Sequence, residues 1–143
     1  MDPDELLKLD NQLCFALYST HLALNQMYRK LLTPLGLTYP QYLVMLILWE
    51  TTPLSVSEIG KRLFLESSTL TPMLKRLEKM QLIMRQRSTQ DERQVFISLT
   101  AQGQQLKHQA QTIPELIQQH SQCDLQSLNE LKQQLEDLRA RLI

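Results

Sequence analysis

The chain has 143 residues, 43% of them hydrophobic, and its acidic and basic side chains balance to a formal net charge of zero. This length and this apolar content predict one soluble globular domain with a packed core. No apolar run approaches the ~18 residues of a membrane span, and the start Met-Asp-Pro-Asp-Glu lacks the basic residues of a signal peptide, so we expect a cytoplasmic protein without membrane helices.

The first predicted element is a long helix from about Asp4 to Leu32, a stretch with no internal Gly or Pro. Breaking residues between Pro34 and Pro40 end it. A second helix is predicted over Tyr39–Glu50, because proline is tolerated in a first turn and the segment continues without another breaker. Its residues are apolar on nearly every side, so we expect this helix to lie in the core.

Two shorter helices follow. Ser55 stands three residues before Glu58, the spacing of a capping box, which predicts a helix that begins at Ser55 and runs to Leu65. The next, Ser67–Met80, has apolar residues at helical spacing and therefore one buried face. Its outer face is expected to carry Ser68, Thr69, Thr71, Lys75, Arg76 and Lys79. Small hydroxyl side chains at the start of a helix, with basic ones behind them, suit a helix that enters the DNA major groove end first.

A β-hairpin is predicted after these helices. Leu82–Arg87 and Gln94–Leu99 have strand-like residues, and Ser88–Arg93 between them is polar and turn-forming. Two helices and a hairpin make a winged helix-turn-helix, so the predicted fold class is mainly α, of the α+β type. Arg93, held by Asp91, is expected to enter the minor groove. On the second helix, Ser68, Thr69, Thr71 and Arg76 are candidates for major-groove and neighbouring phosphate contacts, and Lys75 for a phosphate contact.

The C-terminal segment reads as two more helices, from Ala101 to about Gln122 and from Leu125 to Leu142. The second has a leucine seam typical of a coiled coil, formed by Leu125, Leu128, Leu131, Leu135, Leu138 and Leu142. Such long apolar stripes need a surface to pack against, and a symmetric partner chain would also match a pseudo-palindromic DNA site. We therefore predict a homodimeric single domain over residues 1–143, with helical dimerisation parts at 1–34 and 101–143 and a DNA-binding part at 55–100. A monomer that folds both ends back on itself is the alternative.

The distribution of charge is more informative than its sum. From Ser55 to Thr100 there are eight Lys and Arg side chains and five Asp and Glu side chains, an excess of three positive charges that the flanking segments balance. A basic middle between acidic ends fits a DNA-binding module attached to a solvated helical scaffold. Ordinary scatter of surface charge would give the same count.

Two cysteines, Cys14 and Cys123, are the candidate reactive groups. A permanent structural disulfide is not expected in a cytoplasmic protein. A metal site is not expected either, because there is no CxxC pair and His21, His108 and His120 are not spaced with the cysteines as zinc requires. We predict no metal and no cofactor. The simplest interpretation of either cysteine alone is a small buried hydrophobe.

The position of Cys14 favours a second interpretation. On the first helix it belongs to a partly polar stripe at spacings of four and three residues, which consists of Cys14, Tyr18, His21, Asn25 and Tyr28. Cys14 and Tyr28 are roughly 21 Å apart along one helix at ~1.5 Å per residue, so they cannot touch within a chain. If two antiparallel first helices cross near His21, each Cys14 approaches the partner subunit's Tyr28. Alternatively, Tyr28 only packs in the dimer core.

Two groups of residues carry a resemblance to known regulators. Asp91-Glu92-Arg93, followed by Leu99-Thr100 and Gly103, is similar to the wing signature of the MarR family of bacterial regulators. Asp10-Asn-Gln-Leu-Cys-Phe-Ala-Leu-Tyr18 and Leu35-Gly-Leu-Thr-Tyr-Pro-Gln-Tyr-Leu-Val44 resemble segments of one MarR subgroup, the organic-hydroperoxide sensors called OhrR. The second resemblance extends over essentially the whole chain.

The resemblance to OhrR implies roles for individual residues. Cys14 matches the sensing cysteine, and Tyr28 and Tyr39 match two tyrosines of the partner subunit that donate hydrogen bonds to it. Two phenolic donors favour thiolate over thiol. Cys123 matches the second cysteine of the two-cysteine proteins, which implies a sulfenic acid at Cys14 and then a disulfide between subunits. The expected function is a repressor that organic hydroperoxides release from its operator.

Two other functions compete with this prediction. One is a MarR-type regulator that binds a small aromatic ligand in the dimer crevice, with Cys14 as a packing residue. The other is a thiol peroxidase, an enzyme that would turn over peroxide with a reductant. The sequence shows no catalytic dyad or redox motif for the enzyme, so we expect a protein that is not an enzyme.

Overall fold

The computed structural model describes residues 2–143, and the chain divides after Lys107 into two compact units. In the first unit the helices are α1 (Pro3–Leu6), α2 (Leu13–Leu32), α3 (Tyr39–Glu50), α4 (Val56–Leu63) and α5 (Ser67–Lys79), and the strands are β1 (Leu54–Ser55), β2 (Ile83–Arg87) and β3 (Val95–Leu99). Helix α6 (Ala101–Ala110) contains the boundary, and the second unit contains α7 (Ile113–Ser121) and α8 (Leu125–Leu142). The assignment of residues 1–34 and 101–143 to dimerisation and of 55–100 to DNA binding stays a prediction.

The prediction of one continuous helix from Asp4 to Leu32 is wrong in its first third. A 3-10 turn at Leu9–Asn11 follows α1, and Gln12 is extended, so that α2 begins only at Leu13. Side chains hold this break: Gln12 Nε2 donates to the carbonyl oxygens of Leu6 (2.6 Å) and Lys8 (3.0 Å). Such local side-chain bonds to the backbone compete with helix formation. Cys14 is therefore the second residue of a helix and does not lie in the middle of one.

The predicted core helix is confirmed. Helix α3 begins at Tyr39 with Pro40 in its first turn, and Thr38 and Gln41 form a capping box that the sequence analysis did not identify. Half of its side chains are buried, among them those of Tyr42, Val44, Met45, Ile47 and Leu48, whereas Leu46 is 37% exposed.

The winged helix-turn-helix is confirmed as well. Ser55 caps α4 by accepting the Glu58 amide, and the Glu58 carboxylate accepts the Ser55 amide in return. The hairpin pairs β2 with β3 antiparallel, and β3 also pairs with the short β1, which gives the strand order β1-β3-β2. Strand β1 was not predicted, because its two residues are too short for a periodic pattern. Helices α4 and α5 and the hairpin share a core in which several side chains are wholly inaccessible: Ile59, Leu70, Leu74, Leu77 and Ile97.

Gly103 marks the tight junction between the hairpin and α6. A Cβ atom at this position would lie 2.1 Å from the carbonyl oxygen of Leu82, which is backbone and cannot swing away. The Gly103 carbonyl also accepts the Trp49 indole N–H at 3.0 Å, and its amide donates to Thr100 Oγ1 at 3.0 Å. Only a residue without a side chain allows this approach.

We therefore expect Gly103→Ala to lower the free energy of unfolding by roughly 3 kcal/mol, the upper part of the usual range for overpacking. Urea unfolding followed by circular dichroism measures the change. Gln102→Ala, an exposed substitution on the same helix, is the control and should unfold like the wild type. An unchanged midpoint for Gly103→Ala would show that the junction can open without cost.

The predicted helix from Ala101 to Gln122 is wrong in its continuity, because α6 ends at Ala110 and α7 begins at Ile113. Pro114 lies in the first turn of α7, where its missing N–H removes no helical hydrogen bond. Helix α8 is confirmed, and Asp124 caps it by accepting the Ser127 amide at 2.7 Å. Hydrogen bonds from the backbone and the side chain of Ser127 lower the pKa of the Asp124 carboxyl.

Among the described residues, no single helix is both long and apolar enough to span a membrane. The pair Leu13–Leu35 and Tyr39–Glu50 reaches the required length and hydropathy only when both segments are taken together, and it is bent by 65°.

Candidate functional site

Helix α5 presents the polar face that was predicted for DNA contact. Leu70, Leu74 and Leu77 are 0% exposed, so the opposite face of the helix is directed toward solvent. On it the side chains of Ser68, Thr69, Lys75 and Arg76 are exposed, and that of Thr71 is half-buried. Hydroxyl groups occupy the first turns and cations the later ones. This surface has the chemistry to bond base edges and phosphates.

The wing loop places Arg93 in a defined position while leaving it open to solvent. Ser88 Oγ accepts the amides of Gln90 and Asp91, both at 3.2 Å, which closes the turn. Asp91 Oδ1 accepts the Arg93 amide at 3.0 Å and lies 3.8 Å from Arg93 Nε. The Arg93 side chain is nevertheless 96% exposed. The predicted contact between Asp91 and Arg93 is present, and entry into a minor groove stays a prediction.

Cys14 lies in the first turn of α2 with its thiol free and exposed. The side chain of Gln12, the residue before the helix, makes no capping bond to this turn, because it is bonded to Leu6 and Lys8 instead. Uncapped amides at a helix start favour a negative charge nearby. Leu13 and Leu17 are exposed next to Cys14 and make its surroundings apolar. An exposed thiol beside an apolar surface is accessible to an apolar peroxide.

Tyr28 and Tyr39, the predicted hydrogen-bond donors, belong to a cluster of three tyrosines. The Tyr28 and Tyr39 ring centroids are 4.4 Å apart, and the Tyr42 ring lies 5.9 Å from that of Tyr28 and 6.3 Å from that of Tyr39. Burial and, to a smaller extent, the neighbouring Tyr39 and Tyr42 raise the pKa of Tyr28 to about 12. Burial also raises the pKa of Tyr39 and, together with Tyr39, that of Tyr42. All three phenols are therefore protonated at neutral pH and can donate hydrogen bonds.

Tyr42 was not predicted to be part of this cluster. Its side chain is 3% exposed, and it closes the cluster from the core side of α3. The spacing of three residues from Tyr39 on one helix was the available signal, because side chains at that spacing share a face.

Cys123 lies in the second unit, between α7 and α8. It is exposed and free, its amide donates to Ser121 Oγ at 3.2 Å, and its thiol donates to the Ser121 carbonyl oxygen at 3.4 Å. Both predicted redox residues are thus accessible thiols, and the interpretation of either one as a buried hydrophobe is wrong for the single chain.

A separate cavity of about 670 Å³ opens between α2, α3 and the end of α4. Its wall includes Asn25, Arg29, Thr38, Tyr39 and Leu63, a mixture of apolar surface with a few polar groups. That composition is typical of sites for small organic molecules. Within residues 2–143 no group of three His, Cys, Asp or Glu side chains is placed to hold a metal ion.

The chain is similar in sequence to known transcriptional regulators. The profile of the family described as "Transcriptional regulator SarA/Rot" matches residues 26–110. The organic hydroperoxide resistance transcriptional regulator of Bacillus subtilis (strain 168) is 48% identical over 132 residues, which cover 92% of this chain and 90% of that protein.

Two solved structures of AbfR from Staphylococcus epidermidis are also similar to this chain. Reduced AbfR bound to DNA is 40% identical, with a TM-score of 0.76 and 97% of both chains covered. Disulfide-formed AbfR is 44% identical, with a TM-score of 0.63 and coverage of 94% of this chain and 95% of AbfR.

Proposed function

We propose that this chain, which belongs to the SarA/Rot family of MarR-type transcriptional regulators, is a dimeric DNA-binding repressor that organic hydroperoxides release from its operator. The observation that carries the proposal is the exposed Cys14 thiol in the uncapped first turn of α2. The similarity to a hydroperoxide resistance regulator over 90% of that protein supports the signal.

The DNA-binding part of the proposal rests on two exposed surfaces. Helix α5 carries hydroxyl and basic side chains outward, and the wing holds Arg93 almost fully exposed beside Asp91. A helix of this kind reads the major groove, while an arginine at a wing tip suits a narrow minor groove with its concentrated negative potential. Reduced AbfR, which is 40% identical, was solved bound to DNA.

Arg93→Ala and Arg76→Ala are each expected to weaken operator binding by about tenfold or more, since a lost arginine contact to a base or groove costs ~1–3 kcal/mol. The dimer should remain intact, because neither side chain is buried. Gel shifts on a duplex selected from a random library measure the affinity, and sedimentation measures the dimer. Lys132→Ala, a basic residue of α8 paired with Glu136, is the control. Wild-type binding by both arginine variants would mean that the assigned surface is wrong.

The dimer follows from apolar surface that one chain leaves open. On α2 the side chains of Leu13, Leu17, Leu22 and Leu24 are exposed, Leu13 by 61%, and the leucine seam of α8 is largely exposed too. Leu13, Leu17 and Leu24 lie on one side of α2 at helical spacing, and an apolar surface of this kind is typical of an interaction site. Antiparallel α2 helices that cross near His21 would place each Cys14 close to the partner subunit's Tyr28.

The proposed chemistry has two steps. The Cys14 thiolate attacks the terminal oxygen of the hydroperoxide, the O–O bond breaks, and the alkoxide takes up a proton and leaves as an alcohol, so that Cys14 becomes a sulfenic acid. The Cys123 thiolate then attacks that sulfur, the S–O bond breaks, and the displaced hydroxide takes up a proton from solvent to become water, which leaves a disulfide. One hydroperoxide is reduced and two thiols are oxidised. A thiol reductant reduces this disulfide to two thiols and restores the repressor.

The tyrosines act in the proposal as donors to the thiolate. Because their pKa values are raised, Tyr28 to about 12, they stay protonated throughout the physiological range. Tyr28→Phe and Tyr39→Phe should keep DNA binding and slow Cys14 oxidation by roughly tenfold or more, since a hydrogen bond to a charged acceptor contributes ~1.5–3 kcal/mol. The rate of sulfenic acid formation under excess hydroperoxide measures this.

Tyr42→Phe is the matched control, because Tyr42 shares the cluster and its packing but is not assigned as a donor. It should oxidise at the wild-type rate. If all three variants slow equally, the effect is one of packing; equal rates for the wild type, Tyr28→Phe and Tyr39→Phe would remove the tyrosines from the mechanism.

The cavity beside Tyr39 favours a second candidate function, a regulator that answers to a small aromatic ligand while Cys14 serves only in packing. Peroxide turnover as an enzyme is not proposed, because the matched relatives are transcriptional regulators. One gel-shift experiment separates the candidates. Release by an organic hydroperoxide and recovery with dithiothreitol support redox sensing; release by aromatic acids with no effect of either reagent supports the ligand.

A further inference from the structure

A second, smaller cavity of about 210 Å³ lies between the first turns of α4 and α5 and the hairpin. Ser57, Ser67 and Thr71 line it from the helices, and Arg85 and Arg93 line it from the hairpin. The described residues on its wall include two guanidinium groups and no carboxylate. A cavity with these linings is suited to an anion.

Arg85 occupies a position where the strand pattern favours an apolar residue. On β2 it shares a face with Ile83, which is 1% exposed, and it stands opposite the fully buried Ile97 of β3. Its side chain is only 22% exposed, and its Nε atom is buried with no hydrogen-bond partner among the described residues. The nearest carboxylate oxygen, Glu78 Oε1, is 3.9 Å from Arg85 Nη1. The buried Nε atom therefore lacks a hydrogen-bond acceptor, and an anion in the cavity would supply one.

The start of α5 points to the same ligand. Glu66 precedes the helix but makes no side-chain capping bond to its first turn. The free amides of such a turn and the positive end of the helix favour phosphate. The planar fork of arginine matches two phosphate oxygens.

We propose that this cavity binds one backbone phosphate of the operator in each half-site, with Arg85 as the cation beneath it and Ser57, Ser67 and Thr71 as hydroxyl donors. The inference rests on the proposed function. Ser67 begins the helix assigned to the major groove, and Arg93 borders the cavity on the side assigned to the minor groove, so the backbone between the grooves passes over it. Arg85 is then a positioning residue, because a phosphate contact fixes register and carries no base information.

A purely structural role for Arg85, as the partner of Glu78, predicts something different. In that case Glu78→Gln and Arg85→Met should affect the protein alike. If Arg85 holds a phosphate, Glu78→Gln leaves that contact in place, whereas Arg85→Met keeps most of the apolar packing of the side chain and removes the guanidinium.

The test measures affinity for a selected operator duplex and for a random duplex over a range of KCl concentrations. Arg85→Met should lose about tenfold or more on both duplexes, and the slope of log Kobs against log salt should become shallower by ~0.9 for each phosphate lost, roughly 1.8 for a dimer. Glu78→Gln should keep the wild-type slope. Arg85→Lys should keep the slope with weaker binding, since lysine retains the charge without the fork.

Single methylphosphonate substitutions in the operator give a direct readout. One position in each half-site should weaken the wild type but leave Arg85→Met unaffected. An unchanged slope for Arg85→Met, equal losses for Arg85→Met and Glu78→Gln, or a loss confined to the selected sequence overturns the inference. If Arg85→Met does not fold, Arg85→Lys replaces it in this test. The methylphosphonate at that position should then weaken binding by Arg85→Lys less than it weakens binding by the wild type. A wild type that binds no duplex selectively is instead a failure of the proposed function.

Discussion

Cys14→Ser is expected to bind operator as tightly as the wild type and to stay bound at a hydroperoxide concentration that releases the wild type completely. The substitution removes the nucleophilic sulfur, and the hydroxyl group that replaces it does not react with peroxides at neutral pH. Cys14 lies on α2, whereas the proposed DNA surface lies on α5 and the wing, so the apparent affinity should not change. Gel shifts with increasing cumene hydroperoxide measure both properties in one titration.

Two controls make the result decisive. Dithiothreitol added after release should restore binding by the wild type, which excludes irreversible damage. Hydrogen peroxide at the same concentration should release the wild type less well, because the apolar side chains of Leu13 and Leu17 beside the thiol favour an organic peroxide. Release of Cys14→Ser by the same hydroperoxide would show that another group senses the peroxide, and it would favour the ligand-binding alternative.

The regular elements of the fold were predictable because periodic patterns and caps determine them. The capping box at Ser55, the apolar spacing of α5 and the turn-forming residues of the wing are local signals, and each element lies where its signal places it. The two wrong predictions concern continuity. At Gln12 the helix breaks because an amide side chain bonds the preceding carbonyl groups, and such bonds have no periodic signature.

The same distinction applies to the candidate site. Residues on one face of one helix, such as Ser68 and Arg76, could be grouped from spacing alone. Tyr42 could not be placed beside Tyr28, because their contact depends on how α2 and α3 pack. Arg85 was counted only as a charge, because its burial depends on tertiary structure. The available signal was its place on the strand, where it stands opposite Ile97 at a position that favours an apolar residue.

The second large effect concerns Cys123 and the covalent state of the dimer. A disulfide requires two Cα atoms within ~7 Å. Cys14 begins α2, which the proposal places in the dimer crossing, and Cys123 lies in the link before α8, whose exposed leucine seam the proposal also places in the interface. We therefore expect Cys14 to join Cys123 of the partner subunit. That bond would hold the interface helices in a new arrangement, respace the two α5 helices and weaken operator binding. The 44% identical AbfR was solved in a disulfide form.

After brief hydroperoxide treatment nearly all of the wild type should run at dimer mass on a non-reducing gel, and dithiothreitol should return it to monomer mass. Cys14→Ser and Cys123→Ser should each stay at monomer mass, and Cys123→Ser should accumulate a sulfenic acid that dimedone traps. Mixing the two variants before oxidation should restore a dimer band with one bond, since each supplies the thiol that the other lacks. A monomer band in which both thiols are blocked would mean an intrachain bond. Free Cys123 throughout the reaction would exclude it from the switch and leave oxidation of Cys14 alone to release the operator.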